Sequence, residues 1–207
     1  MTDLTRLVTL DRVAVEESVR LVGLVRADDW VRDTPCAAWT VRRLVAHMTA
    51  QHRGFAAAAR GRGGDPDVWR EAWAEADPAG AHRDAALDLI AAFAEPGTAE
   101  REFTLPELDP GPGPGGGWPA RSAVGFHLVD HAVHAWDVAV AVGAGVELPE
   151  PVVAAALKVA LRVPTGAAAR GPGAAFAPPV SVPPGALPFD RMLMALGRDP
   201  RRRPAAR

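Results

Sequence analysis

The sequence predicts an all-α fold, an antiparallel bundle of helices joined by loops. Apolar residues recur at steps of three and four positions in five segments, alternation of the strand type is scarce, and stretches rich in glycine and proline separate the periodic segments. The chain has 207 residues and an apolar fraction of 48%. That length suits one well-packed domain with loops and a tail.

The first two helices are predicted over residues 4–25 and 41–60. The first has apolar residues on one face, namely Leu4, Leu7, Val8, Val15, Val19, Val22 and Val25. Residues 33–38 contain Pro35 and form a connection. Thr40 then caps the second helix, whose predicted buried stripe is Val41, Leu44, Met48 and Phe55.

A third helix is predicted over residues 82–94, after a turn-rich break at 61–66 and a short polar, aromatic segment. Its expected apolar face is Ala86, Leu87, Leu89, Ile90 and Phe93. It ends before Pro96 and Gly97. Residues 105–120 are predicted to be a loop, because their closely spaced prolines and glycines remove hydrogen-bond donors and add backbone freedom.

The clearest helix is predicted over residues 121–142, and a fifth over 149–163. Residues 164–188 are rich in glycine, proline and alanine and should form an irregular arm, closed by a short helix over 189–196. We therefore expect one helical bundle over residues 1–163. We expect residues 164–207 to form the irregular arm and a short C-terminal helix, both packed on the bundle.

Composition argues against several classes of partner. The net charge is -2 and the charged fraction is 23%, so no basic excess draws the protein to nucleic acid or to a membrane. No run of about 20 apolar residues could span a bilayer, and the first residues are charged and amphipathic. We therefore expect a cytoplasmic protein. Cys36 is the only cysteine, which excludes an intrachain disulfide and a cysteine-based zinc cluster.

The predicted helix over residues 121–142 concentrates groups that bind metals. His127, Asp130, His131 and His134 share a polar stripe beside an apolar one. Asp130 and His134 are four residues apart and can bind one ion from the same side. His127 and His131 have the same spacing, so geometry does not choose between the pairs. Asp137 is placed either to orient a ligand histidine or to pair with an arginine.

A further ligand must come from another helix, and His47 is the best candidate because it lies beside the buried stripe of the second helix. Two imidazoles and a carboxylate suit zinc, iron, nickel or manganese, and they leave positions open. Arg43 and Gln51 lie one turn before and after His47 and could reach an anionic substrate, although such residues usually serve solubility. A single helix histidine is more often a packed or surface residue than a ligand.

Three segments of the chain resemble a known family. They are TPCAAWTVRRLVAHM at residues 34–48, GFHLVDHAVHAWDVA at 125–139 and DRMLMALGRDP at 190–200. They resemble the DinB-like metalloprotein superfamily, within it the actinobacterial branch related to mycothiol-dependent maleylpyruvate isomerases. The resemblance implies a four-helix bundle and the metal ligands His47, Asp130 and His134. Aspartate replaces the glutamate of the isomerases at residue 130, which leaves His127 or His131 as substitutes.

The resemblance also implies a function. Zinc is the first choice of ion, with nickel, iron or manganese as alternatives, and mycothiol is the expected thiol. A metal can hold such a thiol as its thiolate at neutral pH, ready to add to a small electrophile, as an isomerase or S-transferase requires. The competing hypotheses are a noncatalytic metal- or small-ligand-binding bundle and an interaction protein without metal. Expected partners are small molecules, with a homodimer as one assembly that the bundle allows.

Overall fold

The structure, a computed structural model, describes residues 3–36, 39–108, 111–113, 115–166, 170 and 176–202. Six α-helices lie among these residues: α1 Leu4–Val22, α2 Val41–Ala59, α3 Pro78–Phe93, α4 Ala120–Val142, α5 Glu150–Ala160 and α6 Pro188–Ala195. A two-stranded antiparallel sheet pairs β1, Glu102–Phe103, with β2, Trp118–Pro119. Three short 3-10 turns are Ala27–Asp29, Pro66–Trp69 and Thr98–Glu100. The predicted all-α class is confirmed.

Side-chain caps explain where the helices begin. The Thr40 hydroxyl accepts a hydrogen bond from the Arg43 backbone N–H at 3.4 Å, so α2 begins as predicted. Asp77 caps α3 by accepting from the Gly80 N–H at 2.9 Å, and Pro78 occupies the first helical position. Consequently α3 begins at Pro78, earlier than the predicted residue 82.

Helix α4 is the central element of the bundle. It packs against α1, α2 and α5, while α3 packs against α1 and α2. Its histidines His127, His131 and His134 are all buried, so most of the polar stripe predicted from the sequence lies inside the protein. The reason is that neighbouring helices cover α4 on nearly every side, which a pattern within one helix does not reveal.

The predicted apolar stripe of α2 is buried throughout, but the predicted face of α3 contains one error. Leu87 is 60% exposed. Helix α3 packs on the bundle through one face only, which includes Ala86, Leu89 and Phe93. Leu87 follows Ala86 by one residue, about 100° around the helix, and therefore points away from the core.

The loop predicted over residues 105–120 contains a strand, because Trp118–Pro119 pairs with β1. A strand of two residues is too short to show alternation in the sequence. In the C-terminal arm, residues 167–169 and 171–175 lie outside the described residues. The final helix α6 packs on α5, and its Met192 and Leu193 join the main hydrophobic core. The proposed division at residue 163 stays a prediction.

Among the helices that the structure describes, none is long and apolar enough to cross a bilayer.

Candidate metal centre

Helices α2 and α4 bring His47, Asp130 and His134 together. His134 Nε2 lies 3.3 Å from Asp130 Oδ1, and His47 Nε2 lies 4.0 Å from Asp130 Oδ2. One ligand atom from each residue lies within 4.8 Å of the others. Metal–ligand bonds of about 2.0–2.2 Å place neighbouring ligand atoms roughly 3–4 Å apart. The spacing therefore suits a divalent ion between the two helices.

Both histidines are oriented by carboxylates on their far sides. His134 Nδ1 contacts Asp137 Oδ2 at 3.0 Å, and His47 Nδ1 lies 3.4 Å from Glu71 Oε1. With each Nδ1 facing a carboxylate, Nε2 is the nitrogen left on each ring to bind an ion beside Asp130. A carboxylate behind a ligand histidine is a common arrangement at metal sites. The sequence pointed to Asp137 but not to Glu71, which comes from the segment between α2 and α3.

Asp130 carries a buried oxygen that needs a ligand. Among the described residues, its Oδ2 has no hydrogen-bond partner although it is shielded from solvent. Burial tends to raise the pKa of Asp130, but the histidines His134, His47 and His131 outweigh it and hold the pKa well below its ordinary value. The group is therefore a carboxylate, and a buried carboxylate oxygen without a partner is costly. These residues fit a divalent cation.

The same carboxylates act on His134. Burial tends to lower the pKa of His134, but Asp130 and Asp137 on its two sides outweigh burial and raise that pKa to about 9. A proton shared with Asp130 thus occupies the position that suits a metal ion. The proton and a metal ion would therefore use the same two atoms, His134 Nε2 and Asp130 Oδ1.

One side of the site is partly exposed and bordered by aromatic residues. The side chains of His47 and Asp130 are 15% and 19% exposed. The Trp39 ring lies 4.9 Å from the His47 ring and so flanks the site. The Arg43 guanidinium stacks between two indoles, 4.7 Å from Trp39 and 5.1 Å from Trp73. Within the described residues, the buried Arg43 Nε has no hydrogen-bond partner.

Gln51 and Cys36 have other surroundings. Gln51 is buried and its amide donates to Glu107 Oε2 at 3.1 Å. Cys36 lies close enough to His134 and Asp137 for the three to form a second possible ligand group. However, burial raises the pKa of the Cys36 thiol to about 11. This thiol must lose its proton before it can bind an ion, whereas Asp130 is already a carboxylate, so the His47 group is the better metal site.

The alternative ligands His127 and His131 belong to a separate buried cluster. His127 Nδ1 contacts Asp11 Oδ1 at 2.8 Å, His127 Nε2 contacts His52 Nδ1 at 3.2 Å, and His131 Nδ1 contacts the His127 carbonyl at 3.3 Å. The His127 and His131 rings are 4.0 Å apart and inclined by 20°. A nitrogen lone pair lies in the plane of its ring, so two rings stacked in this way cannot both direct one at an ion between them. These side chains therefore pack as a stack of rings, although one nitrogen from each of His52, His127 and His131 lies within 4.8 Å of the others.

His52 and His82 complete this cluster, and neither was predicted from the sequence to belong to a site. His82 Nε2 contacts Ser18 Oγ at 3.2 Å, and its Nδ1 lies 3.4 Å from Thr49 Oγ1. Burial lowers the pKa of His82 to about 3 and that of His52 well below its ordinary value. A signal for His52 did exist, because it follows Met48 by four residues on the buried stripe of α2.

Comparisons with known proteins agree with this architecture. The family model for the mycothiol maleylpyruvate isomerase N-terminal domain matches residues 12–139, which include all three candidate ligands. Two uncharacterized proteins from two strains of Mycobacterium tuberculosis are 31% identical over 185 residues, which is 86% of this chain and 90% of each relative.

Two solved structures have a similar fold. One is a histidine-to-alanine mutant of the mycothiol-dependent maleylpyruvate isomerase, with a TM-score of 0.60 and 15% identity over 83% of this chain and 75% of that one. The other is a structure of the mycothiol-dependent maleylpyruvate isomerase, with a TM-score of 0.55 and 19% identity over 78% of this chain and 70% of that one.

Proposed function

The chain belongs to the mycothiol maleylpyruvate isomerase N-terminal domain family, with its DinB-like helical fold, and we propose that it is a divalent-metal-binding protein that uses a thiol such as mycothiol. Its reaction is the isomerisation of a small electrophilic metabolite or the transfer of the thiol to it. Zinc is the ion that two imidazoles and a carboxylate suit best, ahead of nickel, iron and manganese.

One observation carries the proposal. His47, Asp130 and His134 converge from two helices, each histidine is backed by a carboxylate, and one Asp130 oxygen lacks a partner among the described residues. A structural role alone does not require a carboxylate oxygen left unpaired between two oriented imidazoles. The partial exposure of His47 and Asp130 would let a further ligand reach the ion, which a catalytic or thiol-binding site needs and a closed structural site lacks.

The chemistry divides between the ion and the protein. A bound divalent cation would hold a low-molecular-weight thiol as its thiolate at neutral pH. Such a thiolate would supply the nucleophile for a double bond conjugated to a carbonyl group, which both isomerisation and thiol transfer require. His47, Asp130 and His134 would hold the ion that keeps the thiol ionised.

Residues at the mouth of the site complete the proposal. The Arg43 guanidinium lies against Trp39 and Trp73, and its planar set of donors suits it to hold an anionic group of the substrate near the ion. Gln51 is bonded to Glu107 and would contribute after that contact opens. Cys36 has a protonated thiol and is not the nucleophile.

The test uses protein purified without a histidine tag. Elemental analysis should find one divalent ion per chain, and mycothiol, measured by calorimetry, should bind to the metal-loaded protein but not after chelation. Maleylpyruvate is the first electrophile to assay, with Cys36→Ser as the control that should keep both thiol binding and turnover. Protein that takes up no zinc, nickel, iron or manganese would overturn the proposal. Metal uptake without thiol binding would identify a noncatalytic metal-binding bundle instead.

A further inference from the structure

A buried arginine beyond the last helix contacts the back of the candidate metal centre. Arg198 follows α6 and is only 4% exposed. Its Nη2 donates to Asp137 Oδ2 at 3.0 Å, and its Nε lies 3.4 Å from Asp137 Oδ1. The guanidinium therefore addresses both oxygens of one carboxylate, an arrangement that fixes direction as well as charge.

The contact continues to a candidate metal ligand. Asp137 Oδ2 receives Arg198 on one side and His134 Nδ1 on the other, at 3.0 Å each. Asp137 is fully buried. Without the arginine, this buried carboxylate would lose the paired contact that fixes its direction, and it would be free to turn away from the imidazole. The orientation of His134 thus depends on Arg198.

The end of α6 is shaped to deliver this side chain. Gly197 has a backbone φ of 79°, in the left-handed region, and a Cβ there would lie 2.7 Å from the Cβ and carbonyl oxygen of Ala177. After this turn the Arg198 backbone N–H donates to the Leu193 carbonyl at 2.9 Å, and its Nη1 donates to the Leu196 carbonyl at 3.0 Å. The backbone and the side chain are both held before the guanidinium reaches Asp137.

We propose that Arg198 is a positioning residue of the metal centre, which holds the Asp137 carboxylate against His134 so that His134 directs Nε2 towards Asp130 and the ion. The inference rests on the proposed metal-binding function and extends it to the C-terminal arm. Arg198 touches neither the ion nor the substrate, and it acts only through Asp137 and His134.

The chain offers a matched control in Arg170. This residue is 5% exposed, and its guanidinium lies 5.9 Å from the Phe176 ring, as that of Arg198 lies 6.0 Å from it. Among the described residues, its hydrogen bonds go to backbone carbonyls, those of Val163, Pro164, Ala177 and Ala195. Loss of Arg170 therefore removes a similar buried cation and loosens the same end of α6 while the Arg198–Asp137 contact itself remains, so it controls for a purely structural effect.

The experiment compares Arg198→Met with Arg170→Met in the full chain. Zinc affinity is measured by competition with a chelator, and the visible spectrum of the cobalt-loaded protein reports the ligand geometry. Contacts behind a ligand histidine typically change metal affinity about 10- to 100-fold. We expect a weakening of that size and an altered cobalt spectrum in Arg198→Met, with Arg170→Met equal to wild type in both. The zinc affinity of Arg198→Lys should lie between those of the wild type and Arg198→Met, because one ammonium group cannot bind both Asp137 oxygens as the guanidinium does.

Each outcome separates this inference from the proposed function. Wild-type protein that binds no divalent ion would refute the metal site itself. Zinc binding by the wild type, with equal affinity and spectrum in Arg198→Met, would show that Arg198 has only a structural role. Equal weakening in Arg170→Met would lead to the same conclusion. If Arg198→Met does not fold, as judged by circular dichroism, Arg198→Lys against Arg170→Lys decides by the same criteria.

Discussion

Acid should destabilise the folded protein through its buried histidines, and His82 provides the sharpest test. Its ring contacts the hydroxyls of Ser18 and Thr49 and lies 4.8 Å from the His52 ring. Burial, reinforced by the nearby His127, lowers the pKa of His82 to about 3. Asp11, the carboxylate bound in this cluster, contacts His127 instead. His82 is therefore neutral in the folded protein at moderate acidity.

The sign of the effect follows from proton linkage. In the unfolded chain the pKa of a histidine is about 6.5, so between pH 6.5 and pH 3 the unfolded state binds a proton at His82 that the folded state does not. The stabilising contribution is present above pH 6.5 and is lost as the pH falls towards 3. From pH 7.5 to pH 5.0, linkage gives a loss of about 2 kcal/mol for this one residue.

The assay is urea denaturation of the chelated protein at pH 7.5 and pH 5.0, in wild type and in His82→Gln. Glutamine keeps polar groups near Ser18 and Thr49 but does not titrate. The free energy of unfolding of the wild type should fall by about 2 kcal/mol more than that of the variant. His134, whose raised pKa of about 9 works in the opposite direction, is common to both proteins and cancels. Equal losses in the two proteins would refute the assignment of a neutral, buried His82.

Two further predictions concern the ligand set and the packing of α2. Zinc affinity should be lost or severely weakened in a variant of each proposed ligand: His47→Ala, Asp130→Ala and His134→Ala. Asp130→Asn should also weaken binding because the amide lacks the charge that offsets a cation, whereas His131→Ala should change it little; zinc retained by Asp130→Ala but lost by His131→Ala would indicate an all-histidine site. Gly54→Ala should destabilise the fold by about 1–3 kcal/mol in urea denaturation, because its Cβ would overlap the ring of Trp69. Gly145→Ala, with no atom within 4 Å of the added Cβ, is the control, and an equal effect there would contradict the packing argument.

The sequence determined the helices and most of their limits, because these depend on neighbouring residues. Thr40 capped α2 where expected, and the three- and four-residue spacing identified its buried stripe. The DinB-like family was also recognisable from the segments around His47 and His134 and is confirmed by the family match. The same local information brought Asp130 and His134 onto one side of α4.

Only the tertiary structure decided how the polar groups of different segments meet. The sequence left the choice between Asp130 and its neighbours His127 and His131 to family resemblance, whereas the packed helices place His47 beside Asp130 and put the two other histidines in a separate stack. No sequence pattern indicated that Arg198 would contact Asp137, which lies 61 positions away along the chain. Periodicity reports which face of a helix is apolar, but the neighbours of a polar side chain depend on how the helices pack, and the spacing within one segment does not contain that information.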